Sequence, residues 1–224
     1  MPNQEQRKFG AKIDIGRLGN TPLHFIWICD VSDSMRMNGK IDAMNTAIEK
    51  AIVELRDFNK TANIKIFMRS IKFSTGAEWL GWDIIPVENY EWTPLQTGGG
   101  SDLGEALSKV ADLLRFKDEV GIMPRDHCKK PHLVLISDGY PTDDWESGLS
   151  KLMSTFWGAN AVRMAISLDI EANEILEQFV GNVPEAKERM IKVDSPYDLI
   201  RCVRIMSENS GCGHHLMNEE SWML

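Results

Sequence analysis

Cysteine is scarce in this chain: there are four in 224 residues, and no two form a CxxC pair. Cys29 and Cys202 lie in apolar runs, where a thiol serves as a small hydrophobe. No disulfide framework is therefore expected, and a reducing, cytoplasmic compartment is. Positive charge is also short. The net charge of −8 argues against the basic face that a phosphate backbone or an anionic membrane surface demands. No apolar run approaches the ~20 residues that cross a bilayer. The opening MPNQEQRKFGAK has no apolar centre, so no secretory leader is expected. Internal repeats and low-complexity segments are missing. The glycines at 98–100 are not followed by GK[ST], which excludes a P-loop reading.

What remains is an ordinary globular balance, with 43% hydrophobic and 26% charged residues, at a length that suits one α/β domain. Two continuous apolar runs, LHFIWICD at 23–30 and HLVLISDG at 132–139, read as strands buried on both faces, the mark of a parallel sheet. Between them, Ile41, Met44, Ile48, Ala51, Ile52 and Leu55 recur at helical spacing over 40–58. Residues 63–73 read as a strand, with a hairpin partner at 77–82 and a long loop over 83–100. A helix is expected over 103–116, with Asp102 and Glu105 at capping-box spacing. Further helices are expected over 145–157 and 172–180, strands over 161–168 and 190–193, and a last helix opening at Ser195-Pro196. The whole reads as a doubly wound, mostly parallel sheet with one antiparallel edge strand and helices on both faces. Residues 1–20, with a short strand at 12–15, form a flexible lead-in, 21–209 the domain, and 210–224 a tail.

Three turns concentrate oxygen ligands: Asp30-Val31-Ser32-Asp33-Ser34-Met35 after the first buried strand, Gly98-Gly99-Gly100-Ser101-Asp102 before a helix, and Ser137-Asp138-Gly139 after the second buried strand. In an open doubly wound sheet such turns share the carboxyl edge, where ligands bind. Two carboxylates with several hydroxyls form a hard-oxygen site, suited to Mg²⁺, Mn²⁺ or Ca²⁺ rather than to thiolate- or imidazole-seeking metals. Mg²⁺ retains several waters, so few protein ligands leave a position for another group. Other uses of the same residues stay open. The aspartates could form turns and the serines could cap helices. Asp143 and Glu146 have capping-box spacing. Most of the tryptophans read as core, with a partner surface as the alternative for Trp79, Trp82 and Trp92 beside the edge hairpin and long loop. His214 and His215 near Cys212 lack the second ligand pair of a zinc site.

DVSDSM, GGGSDLGEAL and LVLISDG, in that order, resemble the three elements of the metal-ion-dependent adhesion site of von Willebrand factor type A domains, over about residues 24–207. The resemblance implies a cation held by Asp30, Ser32, Ser34, Ser101 and Asp138, and a partner protein that offers it a Glu or Asp. The family usually has Thr where this chain has Ser101, and Asp102 beside it is a competing ligand. The chain is also similar to the bacterial tellurium-resistance TerY-type branch, which implies a protein kinase or a type 2C phosphatase as partner. The rival class is a haloacid-dehalogenase-like phosphohydrolase with Asp30 as nucleophile. That chemistry needs an acid two residues later, where this chain has Ser32. The expectation is therefore a binding module and not an enzyme.

Overall fold

A computed structural model describes residues 21–61, 64–119, 121–125, 128–168, 174–181 and 189–192. Six strands form one sheet: β1 (Pro22–Asp30), β2 (Lys65–Ser74), β3 (Gly76–Pro86), β4 (His132–Ser137), β5 (Val162–Ser167) and β6 (Met190–Lys192), in the order β3-β2-β1-β4-β5-β6. All neighbours are parallel except β2 and β3, which pair antiparallel through the tight turn at Thr75. Strand order reverses between β1 and β4. Their registers place Asp30 level with Phe73 of β2 and Cys29 level with Ile136 of β4, so the turns after β1 and β4 emerge side by side.

β1 is apolar on both faces because each face serves a different core. Leu23, Phe25, Trp27 and Cys29 point into one core with helix α1 (Lys40–Thr61), through Met44, Ile48, Ile52 and Leu55. Ile26 and Ile28 point into the other, with α2 (Leu103–Leu113), α3 (Trp145–Ser154), α4 (Phe156–Asn160) and α5 (Glu174–Val180). A fully buried Leu, Ile or Phe contributes roughly 1.5–3 kcal/mol. The central strands therefore anchor the sheet's carboxyl edge firmly.

Several expectations are corrected. The expected helix over 145–157 is two helices: the backbone turns extended at Thr155, whose hydroxyl accepts from the Gly158 amide and caps α4. β3 runs on to Pro86, past a register shift opposite Met68 and Ser70 and a left-handed Gly81 (φ 80°). It leaves Trp82 95% exposed on the edge strand, not in a core. α2 ends at Leu113, and Phe116 instead bridges to Met123. The strand at 12–15, the helix from Ser195 and the tail from 210 lie outside the described residues. Among those described, no helix is long and apolar enough to cross a membrane.

Candidate metal centre

Asp30 ends β1 with its side chain fully buried, and three donors converge on its carboxylate. Oδ1 accepts from the Ser32 amide at 2.9 Å. Oδ2 accepts from the Ser137 hydroxyl at 2.6 Å and from the Ser101 hydroxyl at 3.3 Å. Ser32, just before a 3-10 turn (Asp33–Gly39), and Ser34 within it join hydroxyls at 2.9 Å, and Ser32 makes no side-chain capping bond. Asp138, one residue past β4, is 1% exposed and accepts from the Lys40 ammonium at 3.2 Å. The turns after β1 and β4 and the loop before α2 thus bring the five expected ligand residues to one edge of the sheet.

The competing uses of the neighbouring residues are decided by geometry. The Asp102 carboxylate accepts from the Gly76 amide at 2.6 Å and the Thr142 hydroxyl at 3.1 Å. Ser101, not Asp102, therefore stands against Asp30. Asp102 also makes no side-chain cap for α2, contrary to the expected capping box. That helix end is held by Asp143, whose two oxygens accept from the Gly104 and Glu105 amides at 2.9 Å each. Two orphan amides and the positive helix end are thereby satisfied from a different loop. α3 is capped by Asp144, which accepts from the Ser147 amide at 3.1 Å, rather than by Asp143.

The loop before α2 is laced from three sides. Gly98 donates to the Val31 carbonyl and Asp33 to that of Gly99; Gly100 donates to the Thr75 hydroxyl. Thr142 grips Ser101 twice, its amide donating to the Ser101 carbonyl at 2.8 Å and its hydroxyl accepting from the Ser101 amide at 2.8 Å. Below the loop, α2 and α3 cross backbone to backbone: a Cβ on Gly148 would lie 2.3 Å from the Gly104 carbonyl oxygen. Sequence reasoning placed Ser137 in one of the three turns, and the segments of Lys40, Thr142 and Asp143 around the site, but missed the contacts these four residues make there. Only Ser137 carried a local signal, its place beside Asp138. The other three act on residues far along the chain.

A divalent cation fits this donor set. Burial raises the Asp30 carboxyl above its usual range, with the Asp138 charge adding to the rise and bonds from Ser137 and Ser32 opposing it. Two adjacent buried carboxylates need a compensating positive charge, and Lys40 supplies one unit. Among the described residues no three His, Cys, Asp or Glu side chains converge. A cation here would be held by two carboxylates and hydroxyls, which is hard-oxygen chemistry. His132 lies at the opposite end of β4, buried and stacked on Phe25 at 6.2 Å.

No family model and no curated protein matches the sequence. Solved structures do match the fold. The ArnB paralog VWA2 of Sulfolobus acidocaldarius is 19% identical, with a TM-score of 0.53 over 80% of this chain and 43% of its own. Proximal thread matrix protein 1 of the mussel byssus, with a zinc-occupied MIDAS motif, is 17% identical, with a TM-score of 0.56 over 84% of this chain and 48% of its own. Manganese-loaded TRAP protein of Plasmodium vivax is 16% identical, with a TM-score of 0.56 over 82% of this chain and 72% of its own. The chain spans less than half the length of the first two. Together with the strand order and the helices on both faces, these matches show that the chain has the fold of von Willebrand factor type A domains.

Proposed function

We propose that this chain is a metal-ion-dependent protein-interaction module. The observation that carries the reading is the pair of buried carboxylates, Asp30 and Asp138, set among serine hydroxyls at the carboxyl edge of the sheet. Asp30, Ser32, Ser34, Ser101 and Asp138 would hold Mg²⁺ or Mn²⁺, with Ca²⁺ the third candidate. When bound, the cation supplies an electrophilic position for one further anionic oxygen, and a Glu or Asp of a partner is the natural donor. The protein's own groups frame that contact. Met37 and Tyr140, on the turns after β1 and β4, are 63% and 57% exposed. They add exposed apolar surface on the two turns that carry site residues, as the centre of an interface requires. A TerY-type system with a kinase or a type 2C phosphatase is the finer proposal for the partner.

A binding role is favoured over phosphohydrolysis because Ser32, where the acid would stand, is buried and bonded to Ser34. The test is Mn²⁺ calorimetry on wild type, Asp30→Ala and Asp138→Ala, followed by affinity capture with and without chelator. Binding by wild type alone, and metal-dependent capture, support the reading. Equal heats in all three proteins, or capture indifferent to chelator and to Asp30→Ala, would move the interaction to another surface.

A further inference from the structure

Asn38 and Gly39 form the one Asn-Gly pair in the sequence, on the turn that leads from Ser34 into α1. Both are exposed. Their φ angles are 55° and 69°, and the Lys40 amide donates back to the Met37 carbonyl, so the pair fills the two left-handed positions of a type I′ turn. Asn38 is the only non-glycine at positive φ among the described residues. Its side-chain amide makes no hydrogen bond with them, so nothing pins that group. Gly39 puts no Cβ beside its own backbone nitrogen, which leaves that nitrogen open to approach the Asn38 side chain. We propose that Asn38 deamidates spontaneously through a succinimide with Gly39, which makes this turn a self-modification site beside the proposed contact surface.

The reaction needs only water. The Gly39 amide nitrogen gives its proton to hydroxide and attacks the Asn38 side-chain carbonyl carbon. The new C–N bond closes the succinimide ring, and the bond to the side-chain nitrogen breaks as ammonia leaves. Water then opens the ring at either carbonyl, and nothing is oxidised or reduced. Opening at the side-chain carbonyl gives aspartate. Opening at the main-chain carbonyl gives isoaspartate, whose backbone runs through Cβ and Cγ and is longer. In the folded turn ψ of Asn38 is 23°, which holds the Gly39 nitrogen away from the side-chain carbonyl. The ring therefore closes when the turn opens, and an exposed turn opens locally at small cost. Either product places a carboxylate on the turn. Isoaspartate also lengthens the backbone between Ser34 and Lys40, whose ammonium is bonded to Asp138 at 3.2 Å. That reach into the cation site rests on the metal-binding reading above; the modification itself does not.

Ageing of the full chain at mildly alkaline pH, native and in urea, tests this. Trypsin cuts after Arg36 and Lys40 and frees Met37-Asn38-Gly39-Lys40, whose sole side-chain amide is that of Asn38. Mass spectrometry of that peptide should show amide turning to acid in the native protein, more slowly than in urea and faster as pH rises. A protein isoaspartyl methyltransferase should label the product. Gly39→Ala, compared in urea where the strain of a left-handed alanine is absent, should slow conversion at least about tenfold. An Asn38 amide that survives in the native protein long after the urea-denatured chain has converted overturns the proposal, as does conversion indifferent to pH and to Gly39→Ala. Deamidated wild type, separated by anion exchange, should bind Mn²⁺ at least about threefold more weakly than fresh protein in calorimetry. Asn38→Gly, which keeps the left-handed turn, should not weaken on ageing. Equal Mn²⁺ affinity before and after ageing overturns the reach into the cation site and leaves the modification standing. Mn²⁺ binding by no form overturns the metal reading, while the peptide still decides the modification.

Discussion

Replacing Asp30 by Asn should make the protein more stable in chelator and less stable in metal. The geometry around Asp30 sets the first sign, and the proposed metal site sets the second. The amide is nearly isosteric with the carboxylate, and every donor around it can be kept. Its carbonyl accepts from the Ser32 amide, and its NH₂ donates to the Ser101 and Ser137 hydroxyls, which rotate to receive it. Ser137 already accepts from the Gly139 amide at 2.8 Å, and a hydroxyl oxygen has two acceptor positions. What disappears is a buried negative charge, and the raised carboxyl pKa says that its surroundings disfavour that charge on balance. Removing such a charge with retention of shape is worth about 1–3 kcal/mol. In metal at a hundredfold excess over its dissociation constant, wild type gains about 2.7 kcal/mol by mass action, and the variant, short of one anionic ligand, gains little. Urea denaturation in chelator and in Mn²⁺ should therefore give stability curves whose order inverts. The pH dependence follows the same logic. A raised folded pKa stabilises at low pH and loses that contribution as pH climbs through it. In chelator the advantage of Asp30→Asn should grow as pH rises above the ordinary carboxylate range, then level off. A variant less stable than wild type in chelator, or a metal gain equal in both proteins, would refute the reasoning.

Gly148→Ala should cost about 1–3 kcal/mol in urea denaturation. The new Cβ would sit 2.3 Å from the Gly104 oxygen, against the ~3.5 Å of a normal contact, and would push α3 off α2. His24, buried against Phe67, has its pKa lowered to about 4 by burial. Its neutral form stabilises above pH 6.5, and up to about 3 kcal/mol is lost as pH falls from there toward 4. His24→Phe should flatten that stretch of the stability curve, and an unchanged slope would count against it. Ser101→Thr should leave Mn²⁺ affinity within about threefold, because the hydroxyl survives; a tenfold loss would show that the loop has no room for the methyl. The wild-type protein should not hydrolyse a phosphomonoester above background, and turnover abolished by Asp30→Asn would reinstate the phosphohydrolase.

The two buried strands and α1 were legible in the sequence because each carries its own environment in its pattern. Continuous apolar residues at 23–29 and 132–136 mean two covered faces, and the spacing from Ile41 to Leu55 means one. The grouping of Asp30, Ser101 and Asp138 was legible for a topological reason, since turns at the carboxyl ends of β1 and β4 must meet. What the pattern could not hold was partnership at a distance. Asp143 has the local spacing of a cap for the helix that follows it, yet it caps α2, 39 residues earlier. Lys40 looks like an ordinary helix-opening cation until the fold sets it against Asp138. The break at Thr155 was masked by the apolar residues on both sides, which fit one helix as well as two.

The lacing of the loop before α2 has a consequence for the kinetics and heat of binding. Ser101 is held by Thr142, Gly98 by Val31 and Gly100 by Thr75 before any ligand arrives. The conformational entropy of arranging these groups is therefore spent when the chain folds, not when the partner docks. Association should accordingly run without a slow ordering phase, and its heat-capacity change should match the apolar surface covered at the interface, with no added contribution from coupled folding.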